Sequence, residues 1–204
     1  MNQYNPNMHH RRSIRLRGYD YSQAGLYFVT ICVQKKACLF GKIVVGKGAQ
    51  NIDAPTMELN DAGKMVETEW LKLPDRFKNI KLHDYVVMPN HFHAILEIVG
   101  TTAGATLLVA PNKTNDHEIG QPQGFAPDNN ITGKTIGDMM DAFKSITTVE
   151  YIRGVKMLGW KPFNCKMWQR NYWDHIIRNE QSYQRISDYI INNPANWKGD
   201  KFFL

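Results

Sequence analysis

Little in this chain of 204 residues points to a disulfide scaffold, a zinc knuckle or a membrane. Cysteine is scarce: Cys32, Cys38 and Cys165 make an odd total of 3, with no Cys-x-x-Cys pair. That argues against the usual structural zinc spacings and suits a reducing compartment. No apolar run approaches the roughly 20 residues needed to span a bilayer. Residues 1–8 are polar and lack the apolar segment of a secretory signal. The expectation is a cytoplasmic protein with no membrane partner. Acidic residues are the poorer charge, 19 against 25 Lys plus Arg, for a net +6. A basic balance favours anionic partners, nucleic acid first, although charge alone fits a merely basic soluble protein as well.

What is present is ordinary core material, 43% hydrophobic and 22% charged residues. This length suggests one domain with decorations. Residues 1–18 form a basic arm in which Arg11, Arg12, Arg15 and Arg17 read either as a simple tail or as a strap over phosphates. Residues 25–34 are rich in β-branched and aromatic side chains and predict a strand, and residues 39–45 a second, with Lys35-Lys36 in the turn. Asn60 is placed to cap a helix in which Met65, Val66, Glu69 and Trp70 recur at helical spacing, closed by Pro74. Residues 80–88 and 91–99 predict two more strands around a Pro89-Asn90 turn.

Residues 101–133 are dominated by Gly, Pro, Thr, Asn and Asp and show no periodicity. A loop of that length is uncommon inside a compact domain and reads as an insertion. Helix resumes near Thr135, where Ile136, Met139, Met140, Phe143 and Ile146 form an apolar stripe. Residues 168–177 alternate as a fifth strand, and Asn179 caps a last helix over 180–192, stopped by Pro194. The chain thus divides into an arm, 1–18, and one domain, 19–204, carrying the insertion 101–133. Hairpin-linked strands with separate helices argue an α+β fold, an antiparallel sheet with helices on one face or both.

Chemistry concentrates in Met88-Pro89-Asn90-His91-Phe92-His93. On a strand, alternate residues share a face, so His91 and His93 project together while Phe92 turns to the core. Paired imidazoles are half of a divalent-metal site, or two polar residues on a strand surface. In the last helix Tyr189 and Asn193 lie four apart on one face, beside the stripe of Tyr183, Ile186 and Ile190. Asn193 offers a neutral oxygen to a metal and Tyr189 a phenolic nucleophile. Equally, Tyr189 reads as a packing residue and Asn193 as a helix cap. A free phenol is about one part in a thousand ionised at neutral pH, so attack on a phosphodiester needs a base or nearby positive charge. A divalent metal beside the tyrosine meets that need.

With Arg15-Leu16-Arg17-Gly18-Tyr19-Asp20-Tyr21, Tyr27-Phe28-Val29-Thr30, Phe143-Lys144-Ser145, Trp168-Gln169-Arg170, Asp174-His175-Ile176-Ile177 and Asn193-Pro194, the chain resembles the REP-associated tyrosine transposases. These are relatives of the single-tyrosine HUH transposases, and the resemblance runs from Arg11 to Trp197. It implies a ferredoxin-like antiparallel sheet (the HUH endonuclease fold) and a Mg²⁺ or Mn²⁺ site at His91, His93 and Asn193. It also implies a nucleophile at Tyr189, and as substrate single-stranded DNA bearing a hairpin, cleaved and rejoined through a 5′-phosphotyrosine. The 101–133 insertion is the main departure.

Tyr183 lies about 240° round the helix from Tyr189, which argues for a single nucleophile. Lys144, Trp168, Gln169 and Arg170 are expected to contact DNA, as are the arm arginines. His83 and His175 are expected to be structural or to touch DNA. A hairpin-DNA binder without chemistry is the alternative. The sequence fits a monomer or a homodimer, with Tyr189 acting in cis or in trans.

Overall fold

The aromatic and β-branched run after Gly25 forms the strand around which the domain is built. The computed structural model describes residue 16 and residues 18–45, 54–100 and 134–203. Arg11, Arg12, Arg15, Arg17 and the insertion 101–133 lie outside the described residues. In chain order the elements are β1 (Gly25–Cys32), β2 (Gly41–Val45), β3 (Pro55–Leu59), α1 (Asp61–Leu71), α2 (Leu73–Arg76), β4 (Ile80–Met88), β5 (His91–Ile98), α3 (Ile136–Leu158), β6 (Trp173–Ile177) and α4 (Glu180–Ile191).

Four strands pair in the order β4-β5-β1-β6, each neighbour antiparallel. β1 and β4 flank β5, and β5 and β6 flank β1, so two split β-α-β units interlock: the ferredoxin-like arrangement. The α+β antiparallel sheet expected from the sequence is the fold found.

Period-2 alternation divides the sheet into two faces. Phe92, Ala94 and Leu96 turn toward α1 and α3, into one core with Trp70 and Phe143. Trp70 meets Phe92 at 4.9 Å and Phe143 at 5.4 Å between ring centroids. Ile95 turns to the other face, where α4 packs through Ile186 and Ile190. Helices therefore cover both faces. α1 starts where Asn60 Oδ1 accepts from Gly63 N at 2.9 Å. α3 starts at a capping box of Thr135 and Asp138. Asn60 is the cap expected from the sequence, and Thr135 stands where helix was expected to resume.

Four sequence expectations are corrected. The segment 39–45 does not extend the sheet: among the described residues β2 pairs only with β3, a strand the sequence reading missed, as a separate ribbon. Pro74 does not simply stop α1; it opens the short α2, where a missing N–H is harmless. The fifth strand is shorter than 168–177, because the Gln169 and Arg170 carbonyls are taken by Lys144 Nζ, each at 2.8 Å. The last helix ends at Ile191, with Asn192 as its cap.

β4 carries a bulge. Leu82 pairs with Leu96 and Tyr85 with Ala94, so His83 and Asp84 together oppose Ile95. Both are displayed toward α4. The Ser187 hydroxyl donates to Asp84, and His83 Nδ1 meets Tyr183 Oη at 3.2 Å.

Candidate active site

His91 and His93 are buried on the α4 face of β5, with ring centroids 4.5 Å apart. The tautomer of His91 follows from its neighbour. Asn90 donates its amide nitrogen to the carbonyls of Lys36 at 3.1 Å and Phe202 at 2.9 Å, so its oxygen is the atom 2.8 Å from His91 Nδ1. An amide oxygen only accepts, so His91 carries its proton on Nδ1 and leaves a bare lone pair on Nε2. His93 Nδ1 lies 2.7 Å from Thr30 Oγ1 on the neighbouring strand. A hydroxyl accepts as well as donates; in the tautomer whose Nδ1 donates to Thr30, Nε2 of His93 is bare as well.

α4 and the chain beyond it supply the other half. Tyr189 Oη lies 3.3 Å from His93 Nε2 and donates to Asp200 Oδ2, also at 3.3 Å. Asn193 falls past the helix end, where its N–H donates to the Ile190 carbonyl at 3.2 Å. The turn, not the helix face, brings its buried side chain against His91. Its amide nitrogen donates to Asp200 Oδ2 at 3.1 Å. Among the described residues its Oδ1 is buried without a donor, and so is His91 Nε2. Unmatched buried acceptors are costly, and one cation satisfies both together. The donor set, imidazole nitrogens with amide and carboxylate oxygens, fits a divalent cation. Among the described residues His91, His93 and Asp200 each offer a ligand atom, all within 4.8 Å of one another.

Electrostatics agree with that chemistry. Burial pushes the His91 imidazole down to about 4, against the opposing pull of Asp200. Burial, then the His91 charge, holds His93 well below the ordinary histidine range. Both are neutral ligands at pH 7. Burial and the Asp200 charge push the Tyr189 phenol up to about 12. Burial also raises the Cys32 thiol to about 11, so it is no thiolate ligand.

The other expected site residues are dispersed. Trp168 is buried, packed on Phe40 at 5.2 Å, with its indole nitrogen donating to Thr147 Oγ1 at 2.9 Å. It serves the core rather than an exposed stacking surface. The Lys144 ammonium holds the loop carbonyls of Gln169 and Arg170. Arg170 is exposed and Gln169 half-buried. Asp200 was missed by the sequence reading, because no periodicity marks the irregular chain after Pro194. Asn90 was read only as a turn residue, and Thr30 only as part of a strand.

No protein-family model matches the chain. An uncharacterized protein of Haemophilus influenzae is 37% identical over 204 residues, spanning 98% of this chain and 97% of its own. Among solved structures, the REP-associated tyrosine transposase bound to a REP hairpin superposes with a TM-score of 0.51 at 18% identity, covering 92% of this chain and 76% of that one. The chain therefore belongs to one family with the Haemophilus influenzae protein, and its fold is that of the REP-associated tyrosine transposase.

Proposed function

We propose that the chain is a transposase-like, metal-dependent DNA nickase and strand transferase. Its substrate is single-stranded DNA carrying a hairpin, by analogy with the REP hairpin bound to the transposase of like fold. One observation carries this reading: the Tyr189 hydroxyl adjoins His93 Nε2, beside two buried acceptors, His91 Nε2 and Asn193 Oδ1, that have no donor among the described residues.

Mg²⁺ or Mn²⁺ held by His91, His93 and Asn193, with Asp200 in reach, would polarise a scissile phosphate and offset its developing charge. The protein's own groups do the rest. Asn90 and Thr30 fix the imidazoles. Tyr189 Oη attacks phosphorus; the O–P bond forms and the P–O3′ bond breaks. The phenolic proton passes to Asp200 Oδ2, its hydrogen-bond acceptor. The 3′ oxygen leaves as a hydroxyl, taking its proton from solvent water. Its later attack on the 5′-phosphotyrosine rejoins the strand and frees Tyr189, a transesterification that needs no ATP. Histidines and tyrosine meet within one chain, so we assign the reaction in cis. Arg11, Arg12, Arg15 and Arg17 are assigned to the DNA backbone, and so is Arg170, with Gln169 beside it in the loop that Lys144 orients. Trp173, 54% exposed, is better placed than Trp168 for stacking.

The test is an adduct assay over a library of hairpin-bearing single strands with Mn²⁺. A protein–DNA species that survives denaturation is expected, and Tyr189→Phe should abolish it. An adduct persisting in that variant assigns the nucleophile elsewhere. Hairpin binding without an adduct under either metal ion would leave the chain a binding module.

A further inference from the structure

The β2–β3 ribbon lies outside the main sheet and forms one wall of a cleft. Its root is locked in place. Gly41 has φ +140°, and a Cβ there would lie 2.1 Å from the Glu58 carbonyl oxygen; a Cβ on Gly63 would lie 2.2 Å from that of Phe40. Asn60 ties the same joint, its side chain donating to the Leu39 carbonyl at 3.0 Å and its backbone N–H to that of Phe40 at 3.1 Å. The ribbon is thus a fixed wall.

The facing wall is the chain after α4. It is pinned where Asp200 Oδ1 accepts from Phe202 N and where the Phe202 carbonyl accepts from Asn90. Between the walls lies an open cavity of about 800 Å³, bounded by Ile43, Val45 and Pro55 on one side and by Pro194, Trp197 and Phe203 on the other. Tyr189 and Asn193 also line it. Val45 is 61% exposed and Phe203 43%. The Phe203 ring stands edge-on to Trp197, at 5.4 Å and 85°, so the two rings do not cover each other face to face. Apolar side chains left uncovered across a rigid cleft mark a binding place.

We propose that this cleft seats an unpaired nucleobase of the DNA strand beside the scissile phosphate, held between Val45 and Phe203. The inference rests on the function proposed above. The cleft has the size of a small-ligand site, and Tyr189 is one of its lining residues. Its lining is apolar and aromatic, with the Lys198 ammonium and the neutral Asn196 amide. Its carboxylate, Asp200, is engaged by Asn193 and the Phe202 N–H. A flat π face above a backbone phosphate suits that lining, and stacking on an aromatic tolerates any base.

The experiment photo-crosslinks Tyr189→Phe protein, which cannot cleave, to hairpins whose randomised single-stranded flanks carry 5-iododeoxyuridine. Mass spectrometry should find the crosslink on Phe203 or Trp197. Val45→Asp, at an exposed position, should weaken binding of the tailed hairpin about tenfold, the loss of one stacked base, and spare the bare hairpin. Crosslinks confined to other regions, or equal binding by Val45→Asp, overturn the proposal. A crosslink at Phe203 in a protein whose native form makes no phosphotyrosine adduct keeps the cleft and sinks the catalytic reading. An adduct with crosslinks only elsewhere does the reverse.

Discussion

α4 presents two tyrosines, each against a histidine of the sheet, and their contact geometry is nearly the same. Tyr189 meets His93 with centroids 5.2 Å apart at 64°, and Tyr183 meets His83 at 5.7 Å and 78°. The hydroxyl-to-nitrogen distances are 3.3 Å and 3.2 Å. What differs is the second layer. His83 Nε2 meets Glu97 at 3.1 Å, and the neighbouring Asp84 accepts from Ser187. Beside His93, by contrast, His91 Nε2 and Asn193 Oδ1 have no donor among the described residues. A tyrosine on a histidine is thus not by itself a site. At Tyr183 the contact anchors the helix; at Tyr189 it borders a gap in the hydrogen bonding that a cation can fill.

The largest expected contrast is between the tyrosines themselves. Tyr189→Phe should remove the DNA adduct altogether, whereas Tyr183→Phe should keep it and lose only about 1 kcal/mol of stability, one hydrogen bond. Equal loss of adduct in the two would erase the distinction. Next in size are the groups that orient the imidazoles. Thr30→Val and Asn90→Ala should each weaken Mn²⁺ binding by about 10- to 100-fold in calorimetry, while His83→Gln should leave it unchanged. A metal affinity that follows His83 would move the site to the wrong pair.

Acid should act on the buried histidine next. In the folded chain His91 titrates at about 4, below the unfolded value of 6.5, so the unfolded state binds the proton first. Stability from this group is complete above pH 6.5 and falls as pH drops toward 4, by about 3 kcal/mol in all. The thermal midpoint should follow that window, and His91→Gln should flatten it. The smallest effect is spectroscopic. Asp200→Asn removes a charge that raises the Tyr189 phenol, so its ultraviolet titration should move down from about 12. No movement would mean that burial alone sets it.

Much of this was legible where a regular period carried it. Alternation in β5 put both histidines on one face and Phe92 in the core. Side-chain caps at Asn60, Thr135 and Asn179 set three helix starts. The resemblance, by motif, named Tyr189 and Asn193 with the histidines, and the fold brings all four together. Legibility ended where the chain is irregular. Asp200 is delivered by a short 3-10 turn, Trp197–Gly199, that no spacing announces. Residues 39–45 read as a strand, but a strand's residues do not tell whether its partner is the sheet or a local ribbon. Trp168 fits a DNA contact or the core equally in sequence, because an aromatic beside an arginine looks the same there, buried or bare.

The β4 bulge makes the middle of an edge strand tolerant of a deletion. Elsewhere, losing one residue from a strand swaps every later side chain to the wrong face. Removing Asp84 leaves a single residue opposite Ile95 and restores an even ladder, with Leu82 and Tyr85 still turned inward. The shortened strand is expected to fold, with a cooperative thermal transition as the check. It would keep His83 and lose the partner of Ser187, loosening the helix that carries Tyr189 while sparing the core.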